Sequence, residues 1–443
     1  MLKIFKTAFD AWNKFWFKKE LTYSLGIFRI TTGFFVFLLI AMSFPNWQKF
    51  YGPNGVVPFS VFRDSWTTDA WLAASSWSVF ILSDSELYVW AIFWIGIAAS
   101  IFFITGFRSR LAAIVLFVVV MSMFHRNYFI INGHDRVVAM FLFFSLFAPL
   151  GESFSLDEFL RRLKHYKSLG KDLASRAKPI WSTRLLQLSF ISIYFFSGPS
   201  KFVDDITWRD GSAMYYISLS DRWFRFPNVD LFHNAALSIP LTFSALALEI
   251  SFPFLIWFSR TRPFMLVGAF LMHSFIMIFF SPNVFLFNLI MLPPLILFIK
   301  PETVKSFLDR IWPKRTANVF YDGQCTFCIR VINILRVLDI RERIKFFDLR
   351  SPEVYKNFPE FNIDDLSKEM YLKSGSGAVY KGFFSFRHLT HAVPALYPLM
   401  LLFYFPGASF FGPKIYNYIA QNRFRFSSCG CDLSGGNHVC GIK

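Results

Sequence analysis

Apolar runs of roughly membrane-spanning length recur through the first two thirds of this chain, and that recurrence is what most restricts its fold. They lie at Leu25–Phe44, Tyr88–Phe107, Leu111–Ile131, Val137–Leu150, Leu185–Phe196, Ala235–Phe258, Phe264–Phe280 and Val284–Ile299. In hydrocarbon every backbone polar group must be satisfied within the segment, so runs of this length are expected to be helices. The reading is a polytopic all-α membrane domain of about eight transmembrane helices. The Val137 and Leu185 runs are short and need flanking residues to cross. With 54% hydrophobic residues, 61 phenylalanines and only 17% charged residues, an ordinary soluble globule is excluded.

Orientation follows from where the lysines and arginines fall. With the N-terminus inside, the inside segments hold about 22 Lys and Arg against about 8 outside. The expected location is the cell inner (plasma) membrane, multi-pass, with the N-terminus and the C-terminal part cytoplasmic. The net charge of +17 is then a topology signal and a fit to anionic lipid, and it requires no nucleic acid as partner. No cleavable leader is expected, because the N-terminal arm lacks a short apolar core ending in small residues.

The chain divides near a basic linker, 301–316, which separates a membrane domain (1–300) from a second domain (317–443). In "ANVFYDGQCTFCIRVINILRVLDIRERIKFFDLR" the pattern predicts a strand at Asn318–Tyr321, an amphipathic helix at about Thr326–Leu338 and a strand at Ile344–Asp348. This β-α-β order predicts a small α/β domain. "ALYPLMLLFYFPGASFFG" is apolar enough for a ninth span, but its prolines and the following "KIYNYIAQNRF" predict a buried helix of the second domain instead.

All five cysteines lie after residue 324. "DGQCTFC" puts Cys325 and Cys328 at the first turn of the predicted helix, where the helix dipole favours a thiolate and a C-x-x-C pair can form and resolve a mixed disulfide. A zinc half-site or two inert thiols remain alternatives. Cys429, Cys431, His438 and Cys440 in "CGCDLSGGNHVC" are soft ligands suited to zinc, or thiols that resolve the first pair, or equally free cytosolic thiols.

Two resemblances rest on particular residues. From about Ala317 to Cys431, "YDGQCTFC" and the late "IYNYIAQNRFRFSSCGC" resemble the DCC family of thioredoxin-like thiol-disulfide oxidoreductases, which implies a thioredoxin-like fold with Asp322, Cys325 and Cys328 as the redox motif. Over about 20–300, "LGIFRITTGFF", "INGHDRVVAMFLFFSLFAP", "YFFSGPSKFVDDITWRDGSAM", "LALEISFPFLIW" and "LMHSFIMI" resemble the horizontally transferred transmembrane (HTTM) family, related to vitamin K-dependent gamma-carboxylase. That resemblance implies Lys201, followed by Trp208 and Gly211, as the base that deprotonates a reduced quinone of the menaquinone or vitamin K type, with His134 of "NGHD" in the same site. Ser200 stands where the carboxylase has a second lysine, and the large domain that grips a glutamate-rich propeptide is absent.

From the residues alone, Lys201 is either a headgroup anchor or a base, and His134 either an interfacial histidine or its proton-transfer partner. Arg29 and Glu249 are expected to pair within the membrane as scaffold, and His273 to pack inward. The expected function is a redox-linked membrane enzyme carrying a cytosolic thiol-disulfide domain. The alternatives are a thiol oxidoreductase merely anchored by its helices and a non-enzymatic transport or peptide-maturation factor. Expected partners are the bilayer, a cytosolic thiol protein, and a peptide or lipid substrate.

Overall fold

The computed structural model describes residues 2–68, 77–169, 177–226, 230–311, 316–339 and 343–423. The chain forms two compact units, Met1–Glu158 with Ser175–Lys305, and Phe159–Ala174 with Ser306–Lys443. The division between the units falls at Lys305–Ser306, and the polar segment after Glu158 joins the second unit. Within that unit Arg336 donates to the Tyr166 hydroxyl at 2.5 Å.

The first unit is helical. An amphipathic α1 (Leu2–Phe17) precedes α2 (Tyr23–Met42), α3 (Glu86–Thr105), α4 (Ser109–Arg126), α5 (Gly133–Ser145), α6 (Trp181–Asp204), α7 (Ala235–Leu255), α8 (Arg262–Phe279) and the short α9 (Phe285–Met291). Phe28, Phe103, Leu116, Phe141, Phe190 and Phe252 lie in one buried core. Five helical segments among the described residues are long and apolar enough to cross a membrane, or six if the bent pair Pro282–Phe298 and Pro301–Ile311 is one span. The helical membrane unit is the expected one, and five or six segments meet this length and composition where about eight are expected. Helix α5 has only 13 residues. Helix α6 has 24 but carries Arg184, Gln187 and Lys201, and Pro293–Pro294 break the last run into α9 and a 3-10 turn.

One further expectation changes. Arg29 does not pair with Glu249; it is fully buried and donates to the carbonyls of Leu150, Ser153, Phe154 and Ile104. Five fixed donors let a guanidinium disperse its charge over several carbonyl dipoles, so no carboxylate is required. The Gly198–Pro199 step does not end its helix, since α6 continues through it to Asp204. A Cβ at Gly198 would lie 3.0 Å from the Ile250 amide nitrogen, so glycine here permits the close crossing of α6 and α7.

The second unit has a four-stranded mixed sheet. Its strands are β1 (Ala317–Tyr321), β2 (Ile344–Asp348), β3 (Tyr371–Ser374) and β4 (Val379–Lys381), in the order β2-β1-β3-β4. β1 runs parallel to β2 and antiparallel to β3. The parallel pair is joined by α10 (Thr326–Leu338), as the β-α-β pattern predicts. Alternation along β1 sends Val319 to a core with Ile332, Leu335 and Leu389, and Phe320 to one with Val354, Leu366 and Tyr371.

Helix α11 (Phe383–Ala392) leads into the apolar stretch predicted to be a buried helix. It is instead a hairpin of a 3-10 turn (Pro394–Leu399), α12 (Met400–Phe403) and α13 (Ala408–Gln421), with much of its apolar surface exposed. Pro406 and Gly407 interrupt the helix, and Gly407 takes φ +96°.

Candidate functional site

In the first unit, α6, α7, α8 and α9 line an open cavity of about 740 Å³ whose wall is mostly apolar and includes Ile193, Met214, Leu248 and Phe287. Its polar groups are few and connected. Lys201 donates to Glu249, whose other carboxylate oxygen accepts from the Ser197 hydroxyl at 2.9 Å. The Lys201 ammonium lies 4.9 Å from the centre of the Trp208 ring, within cation-π range. Tyr194, Ser197 and Lys201 recur at helical spacing on α6, so one face of one helix supplies three polar groups to the cavity.

A second chain of hydrogen bonds starts on the same wall. The Tyr194 hydroxyl is 2.7 Å from His273 Nε2, and His273 Nδ1 is 2.7 Å from Asn288 Oδ1. Asn288 donates its amide to the Val284 carbonyl at 2.8 Å, which assigns its oxygen as the acceptor facing His273. His273 therefore carries its proton on Nδ1, and Nε2 accepts from the tyrosine. Tyr194 also stacks on Phe252 at 4.3 Å, which holds the ring in place.

Lys201, Trp208, Glu249 and His273 are thus brought to one cavity. His134 is not among the residues lining it. It lies buried at the start of α5, 3.5 Å from Asp135, whose carboxylate accepts from the Asn132 amide at 2.7 Å. Gly211 follows the short helix Ile206–Asp210 with φ +86°. Sequence reasoning read Glu249 and His273 as scaffold and passed over Tyr194 and Asn288. The available signal was that ionisable groups inside apolar runs mark functional sites by default.

In the second unit, Cys325 is the N-cap of α10, and its sulfur accepts from the Cys328 amide at 3.3 Å. The two thiols are not joined in a disulfide. The hydrogen bond from Cys328 lowers the Cys325 thiol to about 7 against burial, with the Cys328 amide adding to the effect. The same bond, with burial, pushes the Cys328 thiol up. Access runs the other way, since Cys325 is buried and Cys328 partly exposed beside a small cleft lined by Phe327, Met370, Tyr416 and Arg423. Asp322 accepts from Arg350 and from the Gln324 amide, both at 3.1 Å, and its carbonyl accepts from the Cys325 amide, so it shapes the turn before the thiols.

The thiolate is the deprotonated form and accumulates above its pKa. Alkylation at Cys325 is therefore expected to rise about tenfold per pH unit up to about 7 and then level off. In Cys328→Ala the midpoint moves up, because the donor that favours the thiolate is gone. Mass spectrometry after timed iodoacetamide pulses reads both curves, and identical midpoints would contradict the geometry. Cys429, Cys431, His438 and Cys440 lie outside the described residues. Among the described residues no cluster of three or more His, Cys, Asp or Glu forms a metal site.

A family model for the HTTM domain matches residues 17–302, and one for a DCC1-like thiol-disulfide oxidoreductase matches residues 319–429. No curated protein and no solved structure matches the chain.

Proposed function

The chain belongs to the HTTM family, with a DCC1-like thiol-disulfide oxidoreductase domain after it, and from that premise we propose a membrane enzyme with two redox-linked sites. The membrane unit binds a reduced quinone in the α6–α9 cavity, and the second unit carries out thiol-disulfide exchange at Cys325 and Cys328. One observation supports the first site above all. Lys201 turns back on Glu249 at the wall of a large apolar cavity, where a headgroup anchor would extend outward.

The cavity suits the proposed ligand in size and in lining. Its volume falls within the few hundred to about 1,000 Å³ of small-molecule sites, and an apolar wall with a few convergent polar groups matches a flat ring on an apolar tail. A bound reduced quinone supplies two electrons and a weakly acidic hydroxyl. Lys201 and Glu249 would hold a hydroxyl brought to the pair, and the Glu249 carboxylate would be the group positioned to accept its proton, so that the pair together would serve as the base. Tyr194, held by His273, keeps oxygen lone pairs with which to accept a second hydroxyl.

With basic segments inside, the thiol domain faces the cytoplasm, and its partner is a cytosolic protein thiol or disulfide. A second reading, in which the helices only anchor the thiol domain, draws on the acidity of Cys325. Thermal shifts of the detergent-solubilised protein with reduced and oxidised menaquinone separate the two. Stabilisation by the reduced form in wild type, with affinity about tenfold lower in Lys201→Ala and Glu249→Gln, is expected. Absence of any quinone response in wild type would leave the anchored thiol oxidoreductase.

A further inference from the structure

The hairpin of α12 and α13 presents an apolar face that is exposed among the described residues. Leu401, Leu402 and Phe405 are 82%, 70% and 68% exposed, and Phe410, Phe411 and Ile415 are each about 60% exposed. Water-exposed apolar surface of this kind on a folded domain marks an interaction site. The hairpin is nevertheless folded against its own unit by its opposite side. Phe403 stacks on Phe383 at 5.2 Å, and a Cβ at Gly412 would fall 2.3 Å from that same ring, so only glycine admits the approach. Tyr416 accepts from the Met370 amide at 2.9 Å, and Arg423 donates to the Ser367 carbonyl at 2.9 Å. One side is thus anchored, and the other is left open.

We infer that this face docks on the anionic cytoplasmic leaflet, as an interfacial hairpin rather than a span. Its longest helix, α13, has 14 residues and reaches about 21 Å, short of the roughly 30 Å hydrocarbon core. Charge selects the lipid. From Met370 to Arg423 there is no Asp or Glu, while Lys373, Lys381, Arg387, Lys414 and Arg423 are basic. Lys414 lies 3.9 Å over the Phe410 ring and Arg387 4.0 Å over Tyr404, which puts cations at the edge of the apolar face, the arrangement that binds acidic headgroups. The membrane is also always within reach, because only a short linker separates the last apolar run from β1.

Docking has a consequence for the thiols. Tyr416, Ile419, Ala420 and Arg423, from α13 and the turn after it, line the cleft beside Cys328. Because Tyr416 and Arg423 belong to the anchored side, a helix seated in the headgroups by its open side keeps that cleft turned from the bilayer, where a cytosolic partner still reaches Cys328.

The test uses the full chain in vesicles of phosphatidylcholine with or without phosphatidylglycerol, doped with a phospholipid bearing a photoactivatable acyl chain. Adducts are mapped by mass spectrometry. Labelling of peptides covering 399–418 is expected, stronger with phosphatidylglycerol and about tenfold weaker in Leu402→Glu/Phe405→Glu. Adducts on Glu86–Thr105 serve as the internal standard, and an unchanged alkylation curve at Cys325 shows that the variant's second unit is folded. Labelled spans with an unlabelled hairpin would overturn the inference. So would a dimer cross-linked through 399–418, which would give the face to a second copy, and labelling indifferent to phosphatidylglycerol would overturn the choice of an anionic leaflet.

Discussion

Replacing Glu249 with glutamine is expected to lower the stability of the membrane unit by about 3 kcal/mol, the low end of the cost of breaking a buried ion pair. The Lys201 side chain keeps 29% of its surface exposed, while Glu249 keeps 10%, so the ammonium left behind is partly relieved. Lys201→Ala should cost less, since Glu249 keeps the hydrogen bond from the Ser197 hydroxyl when the ammonium is gone. The double variant Lys201→Ala/Glu249→Gln should lose less than the sum of the two, because the first change already removes the interaction that the second would break. Thermal melts in one detergent supply all four corners of the cycle. Strict additivity would mean that the two groups do not interact and that the proposed proton-transfer pair does not exist.

Cys325→Ser should abolish thiol-disulfide exchange, with turnover of a fluorescent mixed-disulfide substrate falling at least about a hundredfold, as when an activated nucleophile is removed. Cys328→Ser behaves differently. It loses the resolving sulfur but keeps the N-capped Cys325, so a first attack still occurs and a covalent mixed disulfide accumulates. Its attack rate near neutral pH is kept, because the serine hydroxyl and the backbone amide at 328 can both still donate to the Cys325 sulfur. Full activity in Cys325→Ser would move the nucleophile to Cys328 or to the C-terminal cysteines. Neither substitution should change stability by much more than about 1 kcal/mol, since serine is close to cysteine in size.

Local signals in the chain translated well. The β-α-β unit appears at almost the predicted residues, because period-two and helical patterning are properties of neighbouring residues. The position of Cys325 at a helix N-terminus followed from the same pattern. Span counting was less secure, because hydropathy sums composition while crossing requires unbroken length, and Pro293–Pro294 and the short α5 fail that second condition. The exposed hairpin failed for a related reason, since apolar composition cannot say whether a face is covered by protein or left open.

The sequence by itself determined the class of molecule: a basic, multi-helical membrane chain with a C-x-x-C motif on a small α/β domain, and an ionisable lysine at the end of an apolar helix. Which residue answers that lysine was decided only by the tertiary structure. Between His134 and Glu249 the residues alone offer no reason to choose, since both lie at a large separation from Lys201 along the chain. The crossing of α6 and α7 at Gly198, where one backbone packs directly against the other, sets Glu249 beside Lys201 and leaves His134 with Asp135. Pairing between distant charges depends on helix packing, and packing is a property of many side chains at once.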